Sequence, residues 1–562
     1  MKIVTVDQMR EIEAESDAGG LSYARMMENA GRSAAEAIIE RLDVADRRVL
    51  ILVGPGNNGG DGLVVGRHLT EAGASVVCYL LKRRDPDEDD PFRRVKERGA
   101  HLMLADDDEE WQKLAHCAEQ ADVIVDALLG TGTHLPLRGK LAEMVEVVKE
   151  AIDRRQNQES SHTPRMTLVP RQKTDATEEV PFVVAIDGPT GLEYDSGALD
   201  KRALSAHLTI TFAYPKQGHF RFPGAAALGE LVIADIGTDP ALASEIDLEV
   251  VTPTMVRHWL PWRPLDAHKG TFGKALIVAG SVNYTGAAYL TGAASTRAGA
   301  GLVTLGIPGS IHAAIAAKLS EATYLLLPQT MGVINAGAIE VLREEASSYD
   351  ALLIGPGLGQ EEETVTFIKT LFGTPASRRA MGFASASEEA AEPIDPSSIP
   401  PLIIDADGLN ILAQLEDWSD RLPVNSILTP HPGEMARLMG AEIKDVQADR
   451  LETASSQAAE WDQVIVLKGA HTVVAAPDGR TVVEPFATPA LATAGTGDVL
   501  AGTITALRAQ GLDAFEAAAA GAYLHGLAGE LAQETFGIAG TVASDVVAKL
   551  PGAWERLNRE NP

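Results

Sequence analysis

Gly495, Thr496 and Gly497 run directly into Asp498 in the stretch ATAGTGDVLAGTITALRAQG (492–511). Small residues ahead of a helical pattern let backbone N–H groups face an anion, and the start of a helix adds positive potential. A carboxylate placed at once behind such a loop can take a proton from an attacking hydroxyl. Together these are the parts of a phosphoryl-transfer site. Thr and Asp also cap helices, but a cap alone does not call for glycine on both sides of the threonine.

A second glycine-rich segment, GPGNNGGDG (54–62), follows the apolar run RVLILV. Gly54, Gly56 and Gly59 spell the spacing of a dinucleotide loop. In an ordinary nicotinamide dehydrogenase the second strand ends near an acidic ribose anchor. Here that strand, SVVCYLL, ends in Lys82, Arg83 and Arg84, which weighs against such an enzyme. Asn57, Asn58 and Asp61 add directed polar groups, more than a plain turn requires. Asp126 and Asp187 each close an apolar run and precede a small-residue turn, Gly130–Pro136 (GTGTHLP) and DGPTG (187–191). Two such carboxylates in the half that holds the Asn/Gly loop point to one shared crevice. Asn58, Asp126 and Thr190 would offer hard oxygen ligands, suited to an alkali or alkaline-earth ion rather than zinc; which ion stays open.

The elements that must position these residues repeat a theme of strand, glycine turn and helix. It recurs at 47–61, 121–132, 182–191, 274–281, 349–359, 401–410 and 464–472. After the first of these strands, GLVVGRHLTEAG reads as the helix. Short β-rich runs ending in Gly or Asp predict parallel strands with function at their carboxyl ends. The expected class is α/β, with helices on both faces of each sheet. Residues 154–180 and 374–400 are polar and without periodicity, and read as solvated or disordered insertions.

At 562 residues the chain is too long for a single core. A boundary near 247 divides it into 1–247 and 248–562. The formal charge of −31 argues against nucleic-acid binding and against attachment to anionic membranes. The uncharged stretches 275–296 and 298–317 are broken by Gly, Ser, Thr, Asn or Pro and read as buried α/β core. Cys78 and Cys117, the two cysteines, exclude a disulfide scaffold and a thiolate cluster. No signal peptide is visible, so a cytoplasmic location is expected. Self-association into a homo-oligomer is left open.

In the first half, MMENAG (26–31), GPGNNGGDG, VDALLGTG (125–132) and DGPTG resemble the NAD(P)H-hydrate epimerase family. The resemblance covers about 1–240 and implies a Rossmann-like fold. It assigns the hydrated dinucleotide to Asn57, Asn58, Gly59, Gly60, Asp61, Gly130, Thr131, Gly132, Thr133, His134, Leu135, Pro136 and Asp187. It assigns potassium to Asn58, Asp126 and Thr190; the family commonly has Ser at the last position, and the oxygen ligand is kept. Epimerisation at a hydroxyl-bearing carbon needs proton transfer, for which Asp187 is the candidate acid/base. Lys216, in YPKQGH, is a second candidate, balanced against a solvated surface lysine.

In the second half, GxGD resembles the ribokinase-like superfamily. HKGTFGKALIVAGS (268–281), YTGAAYLTGAA (284–294), IGPGLG (354–359), DADGLN (405–410), TPHPGEMARLMG (429–440), VLKGAHTVV (466–474) and AGTGD together resemble ADP-dependent NAD(P)H-hydrate dehydratases over about 255–550. This resemblance implies that Lys468, Gly469, Ala470, His471, Thr472 and Gly497 contact the adenine nucleotide. It gives Ala287, Gly359, His431 and Asp498 to the hydrated substrate. His431 has a competing reading, a cap on the helix that follows it. Lys468, at a strand end before glycine, reads as a phosphate or nucleotide contact rather than a surface charge. The chemistry fits: hydroxide leaves poorly, whereas a phosphorylated hydroxyl leaves well. Asp498 would activate that hydroxyl, with Mg²⁺ on the nucleotide phosphates.

The expected protein has two three-layer α/β/α domains, Rossmann-like and then ribokinase-like. It interconverts R- and S-NADHX and NADPHX and dehydrates the S form with ADP as co-substrate. The alternative is a ribokinase-like small-molecule kinase fused to a non-catalytic dinucleotide-binding domain.

Overall fold

A computed structural model of the chain describes residues 1–161, 180–373, 394–395 and 398–559. It divides into two compact units, Lys2–Ile246 and Asp247–Pro562, the second together with Met1.

The first unit is built on β1 (Arg48–Val53), β2 (Ser75–Leu80), β3 (His101–Leu104), β4 (Val123–Ala127), β5 (Phe182–Ile186), β6 (Leu208–Phe212) and β7 (Glu230–Ala234). All pair in parallel, in the order β3-β2-β1-β4-β5-β6-β7. The first six follow the doubly wound dinucleotide order, which opens a crevice where β1 and β4 diverge. Alternation along β1 feeds two cores. Val49, Ile51 and Val53 face the helices Tyr23–Arg41 and Asn57–Glu71. Leu50 and Leu52 face the helices Gln112–Gln120 and Gly139–Ser161. Each of these fully buried aliphatics stabilises the unit by roughly 1.5–3 kcal/mol.

Two features differ from the sequence reading. The helix after β1 starts at Asn57, not Gly62, so Asn57–Asp61 form its first turn and the loop proper is Gly54–Gly56. Glycine is a poor helix former, but tertiary packing overrides propensity here. A Cβ on Gly62 would lie 2.5 Å from that of Ala127, and one on Gly60 2.7 Å from Met27 Sδ. The second difference is the expected insertion 154–180. Its first eight residues continue the helix Gly139–Ser161, because RRQNQESS holds good helix formers and no breaker; 162–179 lie outside the described residues.

The second unit carries β8 (Leu248–Val250), β9 (Lys274–Val278), β10 (Leu302–Pro308), β11 (Thr323–Leu327), β12 (Gln329–Thr330), β13 (Val333–Ile334), β14 (Ala351–Ile354), β15 (Leu402–Ile404), β16 (Ile427–Leu428), β17 (Val464–Leu467), β18 (Val473–Ala475) and β19 (Thr481–Val483). Ten form one sheet, β11-β10-β9-β14-β15-β16-β17-β18-β19-β8, while β12 and β13 pair separately. From β11 to β17 the sheet is parallel; β18 pairs antiparallel with both β17 and β19. Cores lie on both faces, one centred on the helices Thr496–Ala509 and Ala514–Phe536, the other on Glu362–Leu371 and Arg450–Trp461. In the expected insertion 374–400, residues 374–393 and 396–397 lie outside the described residues. Ile394 is not solvated but buried in the second core, as its apolar side chain dictates.

The two long uncharged stretches are each split between a strand and a helix. No helix among the described residues is long and apolar enough to cross a membrane.

Candidate active sites

In the first unit the crevice forms where the carboxyl ends of β1, β4 and β5 meet. Gly54 is held against the next strand's loop: a Cβ there would lie 1.7 Å from Leu128 O. Arg84, from the basic run after β2, donates to Gly54 O and Gly56 O at 2.7 Å each and pairs with Asp89 at 2.5 Å. The residue type that displaced the acidic ribose anchor is therefore a clamp on the loop carbonyls. Gly54→Ala is expected to destabilise this unit by roughly 1–3 kcal/mol, read as an earlier unfolding transition in urea.

Asp187, at the end of β5, has φ 65°, a left-handed conformation that costs a non-glycine residue on the order of 1 kcal/mol. Its Oδ1 accepts from Lys216 Nζ at 2.7 Å and Thr211 Oγ1 at 2.9 Å. Oδ2 faces the other way: a Cβ on Gly130 would lie 3.1 Å from it and 3.4 Å from Asn58 Oδ1. Asn58, Gly130 and Asp187 thus share one small space, and Asn58 Nδ2 is buried there with no protein partner. Lys216 is 2% exposed, so the reading of a solvated lysine is corrected. Its pairing partner could not be read from local sequence. A signal was present: Lys216 is the one Lys, Arg, Asp or Glu between Ala203 and Phe220.

Asp126 sits deeper. Its carboxylate accepts from Thr190 N at 2.8 Å, Thr190 Oγ1 at 2.7 Å and Leu128 N at 3.3 Å. Thr190 Oγ1 in turn accepts from Leu129 N at 3.2 Å. Thr133 is buried and ties back to Gly130 O at 3.0 Å. Gly132, His134 and Pro136 are exposed at the rim, with Thr131 and Leu135 half-buried.

The crevice sorts its carboxyls. Asp187 lies below the usual carboxylate range: burial would raise it, but Lys216, His219 and Thr211 outweigh that. Asp61 is pushed well above by lost hydration and by the charges of Asp187 and Glu13. Glu13, from the helix Val6–Ala18, is itself raised by burial and was not among the expected residues. An ionised and a protonated carboxyl in one crevice make a base and an acid.

In the second unit the helix Thr496–Ala509 begins over the carboxyl ends of the central strands. Gly495 caps it at φ 91°, a conformation glycine adopts without strain. Thr496 Oγ1 donates to Leu491 O at 2.8 Å and Thr493 O at 2.9 Å, which fixes the loop and turns the hydroxyl away from any ligand. Asp498 is pushed up to about 7, by lost hydration first, then by the charges of Asp405 and Asp407, against Lys468. Lys468 is not a surface charge. Its Nζ donates to Asp405 Oδ1 at 2.7 Å, lies 3.6 Å from Glu434 Oε2, and stands 3.5 Å from where a Gly497 Cβ would sit.

His431 caps the helix Pro432–Met439. Its Nδ1 accepts from Gly433 N at 2.9 Å and Glu434 N at 3.3 Å. The competing cap reading is therefore what the structure shows, and it leaves Nε2 turned outward, 3.4 Å from Glu434 Oε1. Gly359 N donates to Asp407 Oδ2 at 3.0 Å, and a Cβ on Gly357 would lie 2.6 Å from that of Ala287. Ala287 and Gly359 thus converge through one glycine loop. In the 468–472 segment, Arg450 donates to Leu467 O at 2.9 Å and Ala470 O at 2.6 Å. Thr472 Oγ1 closes the turn on Gly469 O at 2.9 Å, and His471 Nδ1 lies 3.1 Å from Glu484 O.

Known proteins share both units. A family model described as NAD(P)H-hydrate dehydratase matches residues 275–552, and one described as YjeF-related protein N-terminus matches 23–218. The bifunctional NAD(P)H-hydrate repair enzyme Nnr of Moorella thermoacetica is 36% identical over 571 residues, covering 100% of this chain and 98% of its own. That of Escherichia coli is 31% identical, covering 97% and 92%. An ADP/ATP-dependent NAD(P)H-hydrate dehydratase from Bacillus subtilis, co-crystallised with ATP/Mg2+, is 31% identical over 56% of this chain and 99% of its own, with TM-score 0.45.

Proposed function

This chain belongs to the family of bifunctional NAD(P)H-hydrate repair enzymes, and on that premise we propose how its residues divide the work. It is an epimerase and a dehydratase of hydrated nicotinamide dinucleotides. Residues 1–247 carry the epimerisation and 248–562 the dehydration, with NADHX and NADPHX as substrates and ADP as phosphoryl donor.

In the epimerase, the hydroxyl of the hydrated ring sits on the carbon beside the ring nitrogen. Asp61 gives a proton to that hydroxyl as it leaves, and the nitrogen lone pair supports the cationic ring. Asp187 takes a proton from the water that returns on the other face, so the net change is inversion. Lys216 and Thr211 hold Asp187 Oδ1, leaving Oδ2 free for this step. Asn57, Gly59, Gly60 and the Gly130–Pro136 turn line the crevice for the dinucleotide. The donor set Asn58, Asp126 and Thr190 joins one carboxylate to two neutral oxygens, which suits a singly charged potassium ion. That ion would supply a fixed positive charge beside the phosphates and lock the Asn58 turn.

In the dehydratase, Asp498 takes the proton of the substrate hydroxyl as its oxygen attacks the terminal phosphorus of ADP. AMP leaves, the N–H groups at Gly497 face the phosphoryl oxygens, and elimination of phosphate with a ring proton restores the dihydropyridine. Lys468, Gly469, Ala470, His471 and Thr472 hold the nucleotide; Ala287, Gly359 and His431 hold the substrate. No group of three His, Cys, Asp or Glu among the described residues forms a metal cage. Magnesium is usually carried by phosphates and one or two carboxylates; Asp405 and Glu434, the carboxylates nearest Lys468, are the ones that would hold it. When bound, it would neutralise phosphate charge.

The observation that carries this reading is the place of Asp498, in the first turn of the helix Thr496–Ala509 directly behind the left-handed Gly495 cap, where lost hydration pushes its carboxyl up to about 7. The test is a mixture of R and S hydrates with Mg²⁺ and ADP, followed by NADH absorbance and epimer ratio. In potassium both epimers are expected to reach NADH. In lithium the S epimer is expected to go at its usual rate while the R epimer lags. Conversion of neither epimer, with phosphorylation of some other alcohol, would instead support a small-molecule kinase.

A further inference from the structure

We propose that His525 is a positioning residue for phosphoryl transfer: from behind the anion loop it holds the Thr496–Gly497 peptide so that the Gly497 N–H faces the group in flight. This rests on the function proposed above.

The helix Ala514–Phe536 packs on the helix Thr496–Ala509 along a face of small residues. Gly521, His525 and Gly529 recur every four residues and so share that face. A Cβ on Gly521 would lie 2.6 Å from Ile504 Cγ1, and one on Gly529 2.7 Å from Leu491 Cγ. Leu491 O is an acceptor of Thr496 Oγ1. His525, one turn from each glycine, therefore faces the stretch between Leu491 and Ile504, where the loop and the first turns of its helix lie. In AAAAGAYLHGLAG (517–529) it is the one Asp, Glu, Lys, Arg or His.

His525 is 8% exposed, and its Nε2 is buried with no protein partner. A leucine would fill the same place without an unsatisfied nitrogen, so packing alone does not account for the histidine. Burial pushes it down to about 4; a hydrogen-bonding contact with the Thr496 backbone opposes the fall, and the charge of Lys468 adds to it. A backbone group that favours the protonated ring is a carbonyl, so a ring N–H lies toward Thr496 O.

That carbonyl and the Gly497 N–H belong to one planar trans peptide and point in opposite directions. Gripping the carbonyl from behind aims the N–H forward. Gly497 N–H is among the first donors of its helix, which have no acceptor within the helix itself. Thr496 Oγ1, anchored on Leu491 O and Thr493 O, fixes the near side of the same residue. Lys468 Nζ stands 3.5 Å from where a Gly497 Cβ would sit, so the peptide that His525 holds borders the cationic side of the proposed nucleotide site.

The test is steady-state dehydration of S-NADHX by the full chain, with Mg²⁺ and varied ADP, beside urea unfolding of each variant. His525→Phe keeps a ring and loses the N–H. It is expected to lower kcat about 10–100-fold, short of the roughly 10²–10³-fold that outright removal of an anion-hole donor costs, with KM for ADP and for the hydrate within about twofold. His525→Gln restores an N–H at similar reach and should recover most of the lost kcat. A Phe variant as fast as the parent, or a Gln variant as slow as the Phe variant, overturns the inference and leaves the proposed function standing. A slowed Phe variant whose KM for ADP rises in step, or whose urea transition is lost, assigns His525 to packing and overturns it as well. Absence of turnover by the unsubstituted chain would overturn the function, and this inference with it.

Discussion

Asp498→Asn is expected to slow ADP-dependent dehydration by about 10²–10⁴-fold, the usual worth of a positioned base, while R and S epimers still interconvert. Asn keeps the size of the side chain and one acceptor oxygen, so a binding role would survive the change and a proton-accepting role would not. The pH dependence gives a second reading. The carboxyl is pushed up to about 7 by lost hydration and by Asp405 and Asp407. Below that value it is protonated and cannot accept a proton, so kcat/KM should fall as pH drops through 7 and level off above about 8. A flat profile from pH 6 to 8, or an Asn variant within tenfold of the parent, would remove Asp498 from the chemical step. Lys468 sharpens the point. Its charge opposes the rise, so Lys468→Met should carry the acid limb to higher pH rather than abolish it.

Much of this architecture was legible because it rests on local signals. Apolar runs closed by Gly or Asp located β1, β4 and β5 of the first unit and β9, β14, β15 and β17 of the second, whereas β3 and β6 lie outside those runs and the strand order rests on pairing between them. The glycine pair around Thr496 located the anion loop, because a helix start with small residues has few other uses. What escaped the sequence reading depends on contacts between distant segments. Nothing near Lys216 says that its partner is Asp187, 29 residues earlier; a buried ammonium needs a counter-charge, but sequence does not say which. Glu13 enters the crevice from a helix that carries no motif. The helix start at Asn57 was missed because Asn and Gly predict a turn, whereas close packing against Met27 and Ala127 holds those glycines in a helix. The strands β18 and β19, which lie between β17 and the edge strand β8, are three residues each, too short for an alternating pattern to show.

Asp187→Asn should have a double effect, and separating the two tests its role. The first effect is on chemistry. With the carboxylate gone, interconversion is expected to fall by about 10²–10⁴-fold, so a mixed sample with saturating ADP should convert its S share and then stall. The second effect is on stability. Lys216 is 2% exposed, and Asp187 Oδ1 is its carboxylate partner at 2.7 Å. Removing one partner of a buried pair leaves an uncompensated charge and costs about 3–5 kcal/mol. A stalled reaction could therefore reflect a loosened unit rather than a missing base. Asp187→Asn combined with Lys216→Met removes both charges and should restore most of the lost stability in urea unfolding, since a buried pair replaced by neutral groups is often near neutral. Epimerisation is expected to remain as slow in the double variant as in the single one. If it returned with stability, the pair would be a structural strut, and the proton would have to be taken by another group in the crevice, with Glu13 next in line.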